Sequence, residues 1–307
     1  MEYKKKYNFI VCFMLFVITL SATMFFFLPK MKDVESEKNN EISDIRQEED
    51  QAGDNSSTLN EVKFNNFNTA LRHAYNYLDN TAGYKSCCYG KFSLNIKNLV
   101  NIEQTIKTTA EINNKNSTSH VTVCTYGDGK IKNNTGFEFV KMGDQVDMRK
   151  SNERISGGFN YDNKDVVRYA MEDYLKEWNI APEEAFTKIS INKIIDGNLT
   201  KSGENYKLIF TLEEGELINN TVVFVKRFFD NSENSKRINP SFTSVSVELM
   251  LDKYGRPIKA KYSTKFYNLN LYGVGIPLSG LSGAVSYTQQ FYGFGQNIQI
   301  ERLPDKV

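Results

Sequence analysis

His120-Val121-Thr122-Val123-Cys124-Thr125-Tyr126 alternates side chains of two kinds along a run rich in β-branched residues. In an extended chain successive side chains point to opposite faces, so this run reads as a half-buried antiparallel strand. The pattern also precedes it, in Phe92-Ser93-Leu94-Asn95-Ile96 and, with many threonines, from Val100 to Ile112. Turns fall at Asn113-Asn114-Lys115-Asn116, Gly127-Asp128-Gly129 and Gly143-Asp144, where Asn and Gly tolerate positive φ. Tyr84 to about Lys150 is therefore expected to be a meander of short hairpins.

Working outward, Phe67, Ala70, Leu71, Ala74, Tyr77 and Leu78 recur at helical spacing before Gly83 ends the pattern. A second helix is expected after Asp162 or Asn163, with Val167, Ala170, Met171, Tyr174 and Trp178 on one apolar face. Pro182 opens a short helical turn through Phe186. Ile189 to Leu199 and Tyr206 to Leu212 form a further hairpin, while Glu214 to Phe229 fits a helix by its Leu217, Ile218, Val222, Val225, Phe229 spacing and a strand by its Thr221–Val225 run. Strands Ser244 to Leu251, Ile258 to Tyr267 and Ala284 to Phe294 close the chain, with a turn at Asp252-Lys253-Tyr254-Gly255 and a Gly-rich loop from Gly273 to Gly283.

Phe9 to Pro29 carries no charge, and as a helix its roughly 21 residues cover a hydrocarbon core of about 30 Å. Lys4, Lys5 and Lys6 precede it, while Lys30 and Lys32 soon give way to Asp33, Glu35 and Glu37, which favours a cytoplasmic N-terminus. The run is too long for a cleaved signal peptide, and Phe25-Phe26-Phe27 follows its small residues Ser21-Ala22-Thr23. Cys12 within it reads as a buried cysteine. The expected organisation is a cytoplasmic N-terminus (1–8), a transmembrane signal anchor (9–29), an acidic disordered linker (30–60) too poor in apolar residues to order itself, and an extracytoplasmic β-rich domain (61–307). The expected placement is a single-pass protein of the cell membrane, partnered by the bilayer through its N-terminal helix.

Lys and Arg number 38 against 37 Asp and Glu, so no overall field would hold a nucleic-acid backbone. Only two histidines are present. His73 has no second histidine or carboxylate one turn away, and Cys87-Cys88 has no gap with which to grip a metal ion. No metal site, cofactor, or serine, histidine and acid arrangement is read from the chain, and a non-enzymatic protein is expected. Cys87, Cys88 and Cys124 are disulfide candidates on the oxidising side; strand alternation lets only one of the vicinal pair point toward Cys124.

Val245 to Leu251, the turn ending Gly255-Arg256-Pro257, the strand after it, and Tyr287-Thr288-Gln289-Gln290-Phe291 running on to Ile300 and Pro304 resemble the lipoprotein-carrier LolA/LppX superfamily. The resemblance implies an α+β fold in which a curved, mostly antiparallel sheet forms a half-barrel with helices against its concave face. It also implies an apolar concavity that holds acyl chains. The expected function is a membrane-tethered extracytoplasmic binding domain for a lipid or another amphiphile; the alternative is a surface interaction or sensory protein using the sheet as a scaffold.

Overall fold

The structure, a computed structural model, describes residues 60–96, 100–128, 134–156, 158–162, 165–178, 182, 193–213, 241–243, 245–271 and 278–304. Helix α1 (Phe67–Asn80) leads into β1 (Gly83–Ile96), β2 (Val100–Asn113), β3 (Thr118–Asp128), β4 (Thr135–Met142) and β5 (Gln145–Ser151). A short ribbon, β6 (Arg154–Ile155) with β7 (Gly158–Phe159), precedes β8 (Val167–Ala170) and α2 (Met171–Trp178). Strands β9 (Ile194–Ser202), β10 (Asn205–Leu212), β11 (Ser241–Phe242), β12 (Val245–Leu251), β13 (Pro257–Leu271) and β14 (Leu278–Tyr292) follow.

Twelve of these strands form one sheet in the order β8-β5-β4-β3-β2-β1-β14-β13-β12-β10-β9, with β11 on β13. All its pairings are antiparallel. The alternation read from β3 sets the faces: Val121 and Val123 are buried on the inner face, which they share with Ala110 and Thr108 of β2 and Phe139 and Phe137 of β4. One core cluster collects inner-face side chains from β4 to β10.

Helix α1 lies on the inner face of this sheet. Its first residue, Phe67, stacks edge-on against Phe210 of β10, and Leu78 near its end accepts a hydrogen bond from Asn114, just beyond β2. The helix buries Ala70, Leu71, Ala74 and Leu78 against that face. Asn66 caps the helix by accepting the Thr69 amide at 2.8 Å.

Three expectations change. Val167–Ala170 is not the first turn of a helix but an edge strand paired with Met148–Gln145, and the helix begins at Met171. The spacing of Val167, Ala170, Met171 and Tyr174 suits a helix, yet pairing on β5 satisfies the backbone and brings Arg168 to Asp147 at 2.8 Å. The Gly-rich segment is strand from Leu278 onward, and Gly283 is a strand residue pressed against β1 and Phe266. The first strand also starts earlier than the sequence pattern suggested, at Gly83. The helix-or-strand segment Glu214 to Phe229, the turn after Pro182, and residues 1–59 with the apolar run and acidic linker lie outside the described residues. Among the described residues no helix is long and apolar enough to cross a membrane.

Candidate functional site

On the inner face of β3, β2, β1, β14, β13, β12 and β10 no described side chain carries a charge. At its centre the residues are small or polar. Cys88 of β1 sits between Thr108 of β2 and Gln289 of β14, and Gln289 in turn faces Ala260 of β13. One row on, Gly90 stands beside Tyr287, which stacks on Tyr262 with ring centroids 4.5 Å apart. A side chain at Gly90 would strike Tyr287 Cβ at 2.7 Å, so the glycine is what lets that ring lie against β1.

Thr108 is 4% exposed and Gln289 2%. The Gln289 amide nitrogen donates to Ser86 Oγ at 3.2 Å, but Gln289 Oε1 and Thr108 Oγ1 have no hydrogen-bond partner among the described residues. Leaving a buried polar atom unsatisfied costs about 1–3 kcal/mol. Turning the amide over would only exchange one orphaned atom for the other. The neighbouring phenols stay protonated: burial, first, then Tyr287, Tyr75 and Cys88 push Tyr262 well above its ordinary 10.0, and burial with Cys88 does the same to Tyr287.

Cys87, Cys88 and Cys124 form no disulfide and are not brought together. Cys88 lies on the inner face; Cys87 and Cys124 lie on the outer face with β2 between them, opposite Thr109 and Lys107 respectively. Two strand spacings already put them about 10 Å apart, beyond the roughly 7 Å Cα limit for a bridge. Burial, with Cys87 adding to it, pushes the Cys88 thiol far above its ordinary 9.0. A thiol that does not ionise is neither nucleophile nor metal ligand. Iodoacetamide is expected to modify half-buried Cys87 and Cys124 in the native protein and Cys88 only after denaturation, read by peptide mass; native-state labelling of Cys88 would contradict its burial.

The outer face holds charge. Glu138 of β4 accepts from Arg149 Nε at 2.6 Å and lies 2.8 Å from His120 Nε2. Burial raises its carboxyl, but the hydrogen bonds with His120 and Arg149 and their charges together outweigh that and hold it below its ordinary 4.5. A carboxyl depressed by folding contributes stability above pH ~4.5 and loses it as pH falls through the folded value. Glu138→Gln is accordingly expected to lower Tm at pH 7 and to narrow the gap from wild type as pH falls through the depressed folded value, below the ordinary 4.5; an unchanged gap on acidification would remove the ion pair as its cause.

Asp147 is 1% exposed and takes Arg168 at 2.8 Å and Arg302 at 3.5 Å. Arg302 also donates to Gln145. The C-terminal segment is thus strapped over this face, where Leu303 packs on Val140 and Val166. His73 belongs to neither face's chemistry: its ring rests on Phe64 and Nε2 lies 3.3 Å from Tyr254 O, where Gly255 at φ +77° leaves room. Among the described residues no three His, Cys, Asp or Glu converge as a metal ion would require.

Two clefts, of about 400 and 510 Å³, open on the outer face rather than the inner one. The first rests on Ser286 and Thr288 of β14 with Tyr89 and Lys91 beside them, and the second on Ser282 and Ala284 of the same outer row with Lys265 and Tyr267 beside them. Sequence reading did not find these clefts or the Thr108–Gln289 pair; alternation in β14 contains both, but only strand register reveals the neighbours.

No family model matches this chain, and no curated protein matches it. Among solved structures it is similar to a domain described as an outer membrane lipoprotein-sorting protein from Vibrio parahaemolyticus, at 12% identity and a TM-score of 0.29, covering 76% of this chain and 95% of that one. It is also similar to a LolA superfamily protein from Nitrosomonas europaea, at 10% identity and a TM-score of 0.24, covering 78% and 95%. A DUF1329 family protein from Desulfovibrio piger gives 11% identity and a TM-score of 0.26, covering 76% and 94%.

Proposed function

We propose that this chain is a membrane-tethered binding domain that holds an amphiphile against the inner face of its sheet, outside the cytoplasm. The observation supporting this reading is the inner face of β3, β2, β1, β14, β13, β12 and β10, buried and without a charged side chain among the described residues. Each acyl CH₂ moved from water onto such a surface gains about 0.8 kcal/mol, so a chain of ordinary length is retained without a charged anchor. The apolar run 9–29 supplies the tether and residues 30–60 the spacer. The full chain is then expected to stay with membranes through alkaline carbonate washing, and a chain lacking residues 1–32 to be released.

Native mass spectrometry of residues 61–307, which belong to one compact unit, tests the binding itself. A mass increment of a lipid, carried from the cell or acquired from added monoacylglycerol, is the expected result. A species that is lipid-free and ignores added amphiphile contradicts it. The outer clefts support a second reading, a scaffold whose outer face meets a partner; substitutions at Ser286 and Ala284 that abolish partner capture while leaving the inner face intact would favour it.

A further inference from the structure

Resting on the second of those readings, we infer that the outer clefts bind an anionic saccharide chain, with lysines meeting its acid groups and serines its hydroxyls. Strand register sets Lys91, Ser286, Ser263 and Ser246 side by side across β1, β14, β13 and β12, a row about 14 Å long. All four are exposed. The first cleft lies over this row and the next, which carries Tyr89, Thr288 and Lys261; the second takes the row on the other side, with Ser93, Ala284 and Lys265. From Ser282 to Thr288 the two follow β14 for about 20 Å.

The lining decides the class. Covering rows of hydroxyls with hydrocarbon strips them of water without replacing its hydrogen bonds, so this face and the apolar inner one suit different partners. Charge favours an anion: Glu248 of the first cleft is held by Lys207 at 2.9 Å and Lys261 at 3.7 Å, whereas Lys91 and Lys265 have no ion-pair partner among the described residues. One further acid, Glu103, lines the second cleft from β2. An acidic peptide fits less well, because β1, β14, β13 and β12 are each paired on both sides and leave no main-chain group for a peptide backbone to join. Recognition falls to hydroxyl and ammonium groups, which match a ligand made of hydroxyls and oxyanions. No arginine lines either cleft, so the acid is met by point charges that do not select carboxylate over phosphate. Tyr89 and exposed Tyr267 stand at opposite ends and offer rings for sugar C–H groups to lie on.

The test uses the full chain in phosphatidylcholine nanodiscs, with fluorescent hexagalacturonate as the anionic probe and maltohexaose as the neutral one, read by anisotropy. Hexagalacturonate is expected to bind roughly tenfold tighter than maltohexaose, and to weaken as salt rises. Losing two exposed ion pairs makes Lys91→Gln with Lys265→Gln lower its affinity about fivefold, and Ser263→Ala with Ser286→Ala lowers it about threefold. All four side chains are exposed, so both variants are expected to keep the wild-type Tm. Equal binding of the two probes, binding of neither, or undiminished binding by the lysine variant overturns the site. So does poly-L-glutamate that competes as well as hexagalacturonate, which makes the clefts a peptide site and leaves the scaffold reading standing. Lysine-dependent adhesion to phosphatidylglycerol vesicles with no hexagalacturonate bound also overturns it, and makes this face a lipid-facing surface. None of these outcomes bears on amphiphile held at the inner face.

Discussion

Gly283→Ala is expected to be strongly destabilising. Gly283 pairs with Leu94 of β1 and Phe266 of β13, at the seam where the N-terminal and C-terminal halves of the sheet meet. A Cβ there would overlap the carbonyl oxygen of Ser93 and the ring of Phe266. The first is backbone and cannot rotate away; the second is fully buried and stacked on Phe92 at 5.6 Å. Overpacking that side chains can absorb costs about 1–3 kcal/mol, and a clash with backbone in a central strand belongs at or above that range. Against a net stability of about 5–15 kcal/mol, such a loss at the seam removes a substantial part of the margin. Gly158→Ala, where an added methyl meets nothing within 4 Å, is the matched control and is expected to be nearly neutral. Urea titration followed by circular dichroism reads both; equal midpoints for the two variants would show that the seam tolerates a side chain.

The second large effect is expected at Phe139. It is fully buried, stacks on Phe137 at 6.0 Å and meets Tyr174 of α2 edge-on at 5.9 Å. Tyr174 in turn meets Tyr169 of β8 at 6.1 Å, so a chain of rings ties the edge strand and α2 to the middle of the sheet. Phe139→Ala removes the central ring and leaves a cavity, at a cost of about 3–5 kcal/mol. The loss is expected to be local as well as global. Amide hydrogen exchange in 171–178 should accelerate more than in α1, because α1 rests on Phe210 and the β2 end instead. Uniform acceleration of both helices would mean that the sheet and α2 open together.

Both effects bear on what the sequence displays. Period-two alternation in β2, β3, β10, β12 and β13 is visible along the chain because each strand buries only one face, so inner and outer rows separate by parity alone. The absence of charge on the inner rows of these strands follows from the same parity. Val167-Arg168-Tyr169-Ala170 was not legible, since four residues fit a helical stripe and a strand edge equally. What decides them is Asp147, twenty-one positions earlier, which reaches Arg168 only once β5 is in place.

The cysteines show the same limit from the other side. Adjacency told correctly that Cys87 and Cys88 face opposite ways, but not that β2 intervenes between β1 and β3. Thr108 and Gln289 look like ordinary strand residues and are separated by most of the domain. Their relation appears only when β1 is paired on one side with β2 and on the other with β14. The outer clefts are equally a product of register, because each is lined from several strands that only pairing brings together.

Nuclear Overhauser contacts between unlabelled monoacylglycerol and methyl-labelled domain locate the ligand directly. Contacts to Leu94, Ile106, Val123 and Leu281, all buried on the inner face, are the expected result. Contacts confined to exposed Ile209 and Ile195, or no contacts at all, would contradict an amphiphile held within the sheet.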